Sequence, residues 1–473
     1  MASRSLWLLL GLAAAGSMAW LSCTQIQLRQ GRGEWQPPRI VQIQGGDIWR
    51  NPFPSYGLWV TQPVDHRSIA LAQDGDLLMG MYKKDDKGET PIFPYEAGDG
   101  TALAFAIEPS RLLMGDRTVY LDLAAGGQGW AWLQKARPGD LAALRFVNIP
   151  GDFEPADNGD LQRRLLKNLA DRRPNVGLGF RKQAVMREVL PWFQPRWLVL
   201  GDYRLEQQDQ EILMGRTGVE VLLIDCTDLD SLRFLPHLCS LRKLIMESWE
   251  PEKTGPFPVG CGGLDVLVLH KARMKGLEPL ANAVGIRSLG LVYCDIGGDA
   301  AGLAKLADLR SLVLNATQLK DGTAALPQLK GLKWLGLPAD ASQDMFAGLM
   351  KDHPDLVGLE IFGCENIKDL SPLAQLKHPE FLVLVKNEQV KDYTPLKDLR
   401  SLRLLVLSSE IFEKSPAEVE ALKKALPNTQ VVPGGPLCLG SGWILALFPA
   451  VAAARLLRAR PWKRGRGPRR PDA

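Results

Sequence analysis

A spacing rule recurs nine times between Val219 and Leu407: an apolar anchor, a second apolar residue three places on, and a third two beyond that. It is clearest as Leu309, Leu312, Leu314, with Leu319 following five places later. It returns as Val219/Leu222/Ile224, Leu241/Leu244/Met246, Leu264/Leu267/Leu269, Ile286/Leu289/Leu291, Leu332/Leu335/Leu337, Leu356/Leu359/Ile361, Pro379/Leu382/Leu384 and Leu402/Leu405/Leu407. Successive anchors lie 22, 23, 22, 23, 23, 24, 23 and 23 residues apart. A unit that short cannot bury its leucines alone, so it must stack on similar units, strand beside strand, at about 4.8 Å. The chain is thereby held to a solenoid. Positions 1, 4 and 6 of each unit point into a shared core, and positions 3, 5 and 7 face outward from a short parallel strand.

This period is the signature of a leucine-rich repeat. The expected fold class is an α/β solenoid with its parallel sheet on the concave face, preceded by a small β-rich domain. Within the repeats, Asp-Leu-Ser-Pro-Leu-Ala-Gln-Leu at 369–376, Leu-Glu-Pro-Leu at 277–280 and Tyr-Thr-Pro-Leu at 393–396 resemble the internalin-like class over roughly residues 195–432. That resemblance implies short, 3₁₀-like convex segments in a gently curved solenoid, and binding to another protein. Fold alone does not name the partner.

The flanks divide the 473 residues further. Residues 1–28 read as a signal peptide or N-terminal anchor, with Arg4 before an apolar run from Leu6 to Leu21. Three outcomes stay open: cleavage at Ser17-Met18-Ala19, lipidation at Cys23 in Trp20-Leu21-Ser22-Cys23, or retention as an anchor. Residues 30–155 show short alternating apolar runs split by Gly, Pro, Asp and Asn, which predict an antiparallel β-rich domain. It contains Trp35, Trp49, Trp59, Trp130 and Trp132, read either as core or as a sugar-stacking surface. Residues 156–194 turn helical, with Leu161, Leu165, Leu166 and Leu169 on one face, and are expected to cap the solenoid before the repeats at 195–412. In one unit, Pro and Gly crowd Trp249–Gly263 and predict an extended convex loop. Ser415-Pro416-Ala417-Glu418 predicts a capping box opening a terminal helix within 413–432.

Residues 433–454 carry no charge and are long enough to span a bilayer core of about 30 Å. The tail 455–473 holds eight Arg or Lys against one Asp, which sets it on the cytoplasmic side and the main domain outside. The same order of elements resembles sortase-type sorting signals, without an LPxTG or Pro-Glu-Pro motif. The tail's +7 leaves −3 on residues 1–454 out of the total +4, so the folded part gives no support to nucleic-acid binding.

Function is sought on the outward positions. Position 5 runs Leu223, Ile245, Val268, Gly290, Val313, Gly336, Glu360, Val383, Val406, and position 3 includes Val221, Val266, Trp334, Phe381 and Leu404. A strip this apolar, with Val268, Val313, Trp334 and Phe381 as candidate ligand-binding residues, suits a hydrophobic partner or cover by the β-rich domain. Position 7 opens with Asp225, Glu247 and His270, a set able to hold a metal or a cationic group, or to form a solvated rim. Position 9 carries Cys294, Cys364, Asn387, Thr227 and Thr317, small groups suited to satisfying turn backbone. Cys239 and Cys261, near the anchors of adjacent units, are the one pair placed for a disulfide. No G-x-S-x-G, H-E-x-x-H or P-loop is present, and no cofactor motif. The sequence therefore reads as a membrane-anchored envelope protein that binds another protein through its concave face, not as an enzyme. The alternatives are a carbohydrate-binding or structural envelope role for the Trp-rich domain, or chemistry at Asp225/Glu247/His270.

Overall fold

The structure is a computed structural model. It describes the backbone of strands between residues 39 and 122 and, with short gaps, side chains as well from 121 to 432, ending in the strand Gln430–Gly434. The export segment, Cys23, Trp35, the tail and the apolar run from 435 onward lie outside the described residues.

One sheet of 16 strands carries the molecule. Ala104–Glu108, Arg111–Met114 and Val119–Asp122 pair antiparallel at one edge. From Val119–Asp122 through Val221–Asp225, Val266–His270, Trp334–Gly336 and Phe381–Val385 to Gln430–Gly434, each strand then pairs in parallel with the next. This is the leucine-rich repeat solenoid that the period requires. Equivalent leucines meet in register, as in Leu222↔Leu244↔Leu267↔Leu289↔Leu312↔Leu335↔Leu359↔Leu382↔Leu405, and all are buried in one continuous core.

The ladder extends beyond the readable repeats at both ends. Leu121, Val147, Leu178, Leu198 and Leu222 occupy equivalent places at spacings of 26, 31, 20 and 24 residues. The segments at 119–122 and 144–148, expected in a separate antiparallel domain, therefore belong to the solenoid, as does 177–180 from the expected cap. Their period is hidden because helices of unequal length separate the strands: Gly127–Lys135, Asp157–Arg172, Gln183–Val189 and Gln207–Met214. Trp130 and Trp132, from the expected aromatic surface, sit in the first of these; Trp130 is buried in the core and Trp132 packs against it. At the far end, Gln430–Gly434 pairs with Leu404–Ser408, so residues 433 and 434 close the sheet and do not begin a membrane segment.

Convex segments follow proline placement. The 3₁₀ turns Leu235–His237, Glu278–Leu280, Ser371–Gln375 and Thr394–Asp398 each have Pro in the first turn, where its missing N–H costs nothing. The longest regular interval, 332 to 356, holds a full helix, Gln343–Asp352, because an α-helix gains less length per residue than a 3₁₀ turn. The expected loop at Trp249–Gly263 is not wholly extended. Pro251 takes the first position of a helical turn, Pro251–Thr254, and buried Trp249 and Phe257 pin the segment to the core. The helix Pro416–Ala425 buries Val419 and Leu422, but Ser415 makes no side-chain cap bond, so the capping box is not formed.

Strands leave the sheet through a shared device. Ser248, Lys271, Tyr293, Ala316, Gly363 and Lys386 hold the same place in their units, and all have φ between 54° and 63°. Two places inward from the exits at Tyr293 and Gly363 lies position 6, whose carbonyl is met by a side chain of the next unit. Thr317 donates to Leu291 O (2.8 Å) and accepts from Cys294 N–H (3.1 Å). Asn387 donates to Ile361 O (2.5 Å) and accepts from Cys364 N–H (3.0 Å). In the first regular unit Cys226 is the buried residue, while Thr227 turns outward.

Candidate functional site

The outward positions form two columns whose centre is built around absent side chains. At position 3, Trp334 lies beside Gly358 and Phe381; at position 5, Gly336 lies beside Glu360. A Cβ on Gly358 would come within 2.0 Å of the Trp334 ring, so only glycine lets the indole lie across that strand. The indole Nε1–H then donates to Glu360 Oε1 at 2.6 Å. Glu360 also reaches back over Gly336, where Asn315 Nδ2 donates to Oε2 at 2.7 Å. A Cβ at Gly336 would meet Val313 Cγ1 at 2.8 Å and Asn315 Oδ1 at 3.0 Å. Phe381 completes the group, its ring centroid 5.5 Å from that of Trp334. Each carboxylate oxygen thus receives a fixed donor, which offsets the cost of burying a charge.

Val268, Val313, Trp334 and Glu360 are 0 % exposed and Phe381 is equally enclosed. These positions, expected as a hydrophobic partner surface or as covered by the β-rich domain, are enclosed. None of the four apolar residues among these belongs to the hydrophobic core on the other side of the sheet.

Asp225, Glu247 and His270 stand in register at position 7, yet they do not converge. Asp225 Oδ1 accepts from the Thr227 amide (2.9 Å) and hydroxyl (2.6 Å), folding back on its own turn. Glu247 Oε1 lies 2.9 Å from His270 Nδ1, and Tyr293 meets the imidazole edge-on at 6.0 Å. Among the described residues no three His, Cys, Asp or Glu groups are gathered as a metal would need. His270 Nε2, Ser311 Oγ and Asn315 Oδ1 are buried without a hydrogen-bond partner, and all three belong to outward positions of the sheet. Trp334 and Phe381 stand out in the sequence by their outward positions, but their grouping with Glu360 and Asn315 was not legible, because its signal lies in two glycines, 336 and 358, on the strands beside the residues they admit.

The expected Cys239–Cys261 disulfide is absent. Cys261 is a free thiol whose pKa burial pushes up to about 12, while Cys239 is disulfide-bonded. Stacked parallel units bring equivalent positions together, and these two cysteines precede their anchors by two and three residues, one step out of register. Cys294 and Cys364 are likewise free, buried and pushed up to about 12 by burial. They are ladder residues with no nucleophilic character.

A cavity of about 320 Å³ lies elsewhere, between Arg172, Arg173, Asn175, Arg196 and Trp197. Two of its arginines are already engaged: Arg173 with the Ala142 and Leu144 carbonyls, Arg196 with Glu220 at 2.7 and 3.0 Å.

No protein-family model matches the chain, and no curated protein matches it. Solved structures with a likeness include an internalin from Listeria monocytogenes (18% identity, TM-score 0.37, covering 64% of this chain and 87% of the other). Internalin C2 from the same organism gives 24%, 0.31, 42% and 84%. A leucine-rich repeat protein from Leptospira interrogans gives 17%, 0.32, 62% and 91%. At these scores the likeness bears no weight, and the repeat fold rests on the leucine period and the parallel ladder described above.

Proposed function

We propose that this chain is a membrane-anchored, extracytoplasmic protein that binds another protein through the concave face of its solenoid. The observation that carries this reading is the Trp334–Glu360–Asn315 cluster with Phe381. It lies on the face opposite the leucine core, and two glycine positions are given over to it. Aromatic rings beside a fixed carboxylate form the kind of centre that dominates protein interfaces, and they suit a basic or amide-bearing side chain of a partner. Anchoring is supported by the uncharged run that continues past Gly434 into the basic tail.

The test is crosslinking from the concave face in the native host, followed by binding measurements with the captured partner in purified form. Trp334→Phe and Glu360→Gln should each weaken binding at least about tenfold, as hot-spot residues do. Unchanged affinity in both variants would overturn the reading.

A further inference from the structure

We propose that the cavity of about 320 Å³ between Arg172, Arg173 and Arg196 binds a small organic oxyanion, a phosphate ester or a carboxylate. Its place follows from two adjacent turns. The chain leaves the helix Asp157–Arg172 through Pro174 and Asn175 and enters the strand Gly177–Phe180. One unit later, Pro195 and Arg196 lead into the strand Trp197–Leu200. The turns run side by side, with Gln194 N–H donating to Pro174 O (2.7 Å) and Arg196 N–H to Asn175 O (3.2 Å). Three arginines distant in sequence thereby line one cavity, and no Asp or Glu is among the described residues that line it.

Two of the guanidinium groups are held by bonds to the frame. Arg173 donates to the Ala142 and Leu144 carbonyls, and Arg196 makes a paired contact with Glu220. A planar guanidinium already fixed in this way has less freedom to lose when it receives an oxyanion, and its fork of N–H donors matches phosphate and carboxylate geometry. Arg172 differs. It is exposed, and its guanidinium makes no hydrogen bond or ion pair with the described residues, so its charge faces an incoming anion directly.

The remaining walls set the size and kind of ligand. Trp197 is buried yet outside the leucine core, and it gives the cavity an apolar side opposite charged groups. Ligand pockets run from roughly 300 to 1,000 Å³, so this volume suits one compact molecule and not a length of polypeptide. In the sheet, five strands lie between Trp197 and Trp334, and the inference does not depend on the partner proposed for the concave face.

Full-length protein in neutral detergent is titrated calorimetrically, at low ionic strength, with phenyl phosphate, benzoate and benzyl alcohol. Saturable binding of phenyl phosphate or benzoate is expected, and the tighter of the two identifies the oxyanion. Benzyl alcohol, a similar ring without the charge, should bind at least tenfold more weakly. Arg172→Gln should weaken anion binding at least tenfold, with a melting curve like that of the parent. Lys377→Gln, which removes an exposed cation from a distant unit, should leave the affinity unchanged. No saturable binding of either anion, benzyl alcohol binding within tenfold of them, an unaltered affinity in Arg172→Gln, or an equal loss in Lys377→Gln overturns the proposal.

Discussion

Gly358 shows how one missing methyl group can organise a surface. A Cβ there would overlap the Trp334 ring, so Gly358→Ala must drive the indole away and break its bond to Glu360. The expected cost is about 1–3 kcal/mol from overpacking, with a red-shifted tryptophan emission, checked by denaturant melts and fluorescence. His353 is a second residue with a readable consequence. Burial, its largest influence, lowers the pKa below the ordinary 6.5, against a smaller opposing effect of its bond to Leu326 O at 3.0 Å. The neutral ring is therefore the folded form, and the unfolded chain takes up the proton first. Its contribution is complete above about pH 6.5 and is lost as pH falls from there through the lower folded value. Melting curves between pH 7.5 and 5 should show this loss, and His353→Gln should flatten it. Neither residue announces itself in the chain: a glycine's partner and a histidine's burial are set by units 23 or more residues away.

At the scale of elements, the regular repeats were legible because each unit reaches its neighbour by a short turn of nearly constant length. The N-terminal strands were not, because the helices between them vary. Those helices are joined by a charge network in place of a leucine period. Arg187 on Gln183–Val189 donates to Asp209 Oδ1 (2.6 Å) and Glu206 Oε2 (2.7 Å) on the next helix, and Gln183 Nε2 donates to Asp209 Oδ2 at 2.5 Å. These hydrogen bonds, Asp209's first, raise the Arg187 pKa above its already high ordinary value. Asp209 is fully buried, so removing Arg187 would strand a charge. Arg187→Ala should destabilise the chain by about 3–5 kcal/mol, whereas Lys182→Ala, which removes only an exposed ion pair with Asp152, should stay within about 1 kcal/mol. Chemical denaturation of the two variants side by side distinguishes the cases.

For the whole molecule, stability is a sum over neighbouring units that share one core. Leu312→Ala, in mid-ladder, should cost about 2–5 kcal/mol and lower the melting transition of the entire solenoid. A transition that splits into independent halves would contradict a continuous core. The concave face was half legible: its columns follow from the period, but the bonds that join Trp334, Glu360 and Asn315 across three units do not. The left-handed exits at Ser248, Lys271, Tyr293, Ala316, Gly363 and Lys386 make the chain modular in a concrete sense. Because these six strands depart by the same step, one anchor-to-anchor segment between them can be excised and the ends rejoined at matching geometry. Removing residues 287–309 should leave a solenoid shorter by one unit that still melts cooperatively. The length of such a protein is thus free to change in whole steps, while the position-specific work of Gly336, Gly358 and Glu360 is not.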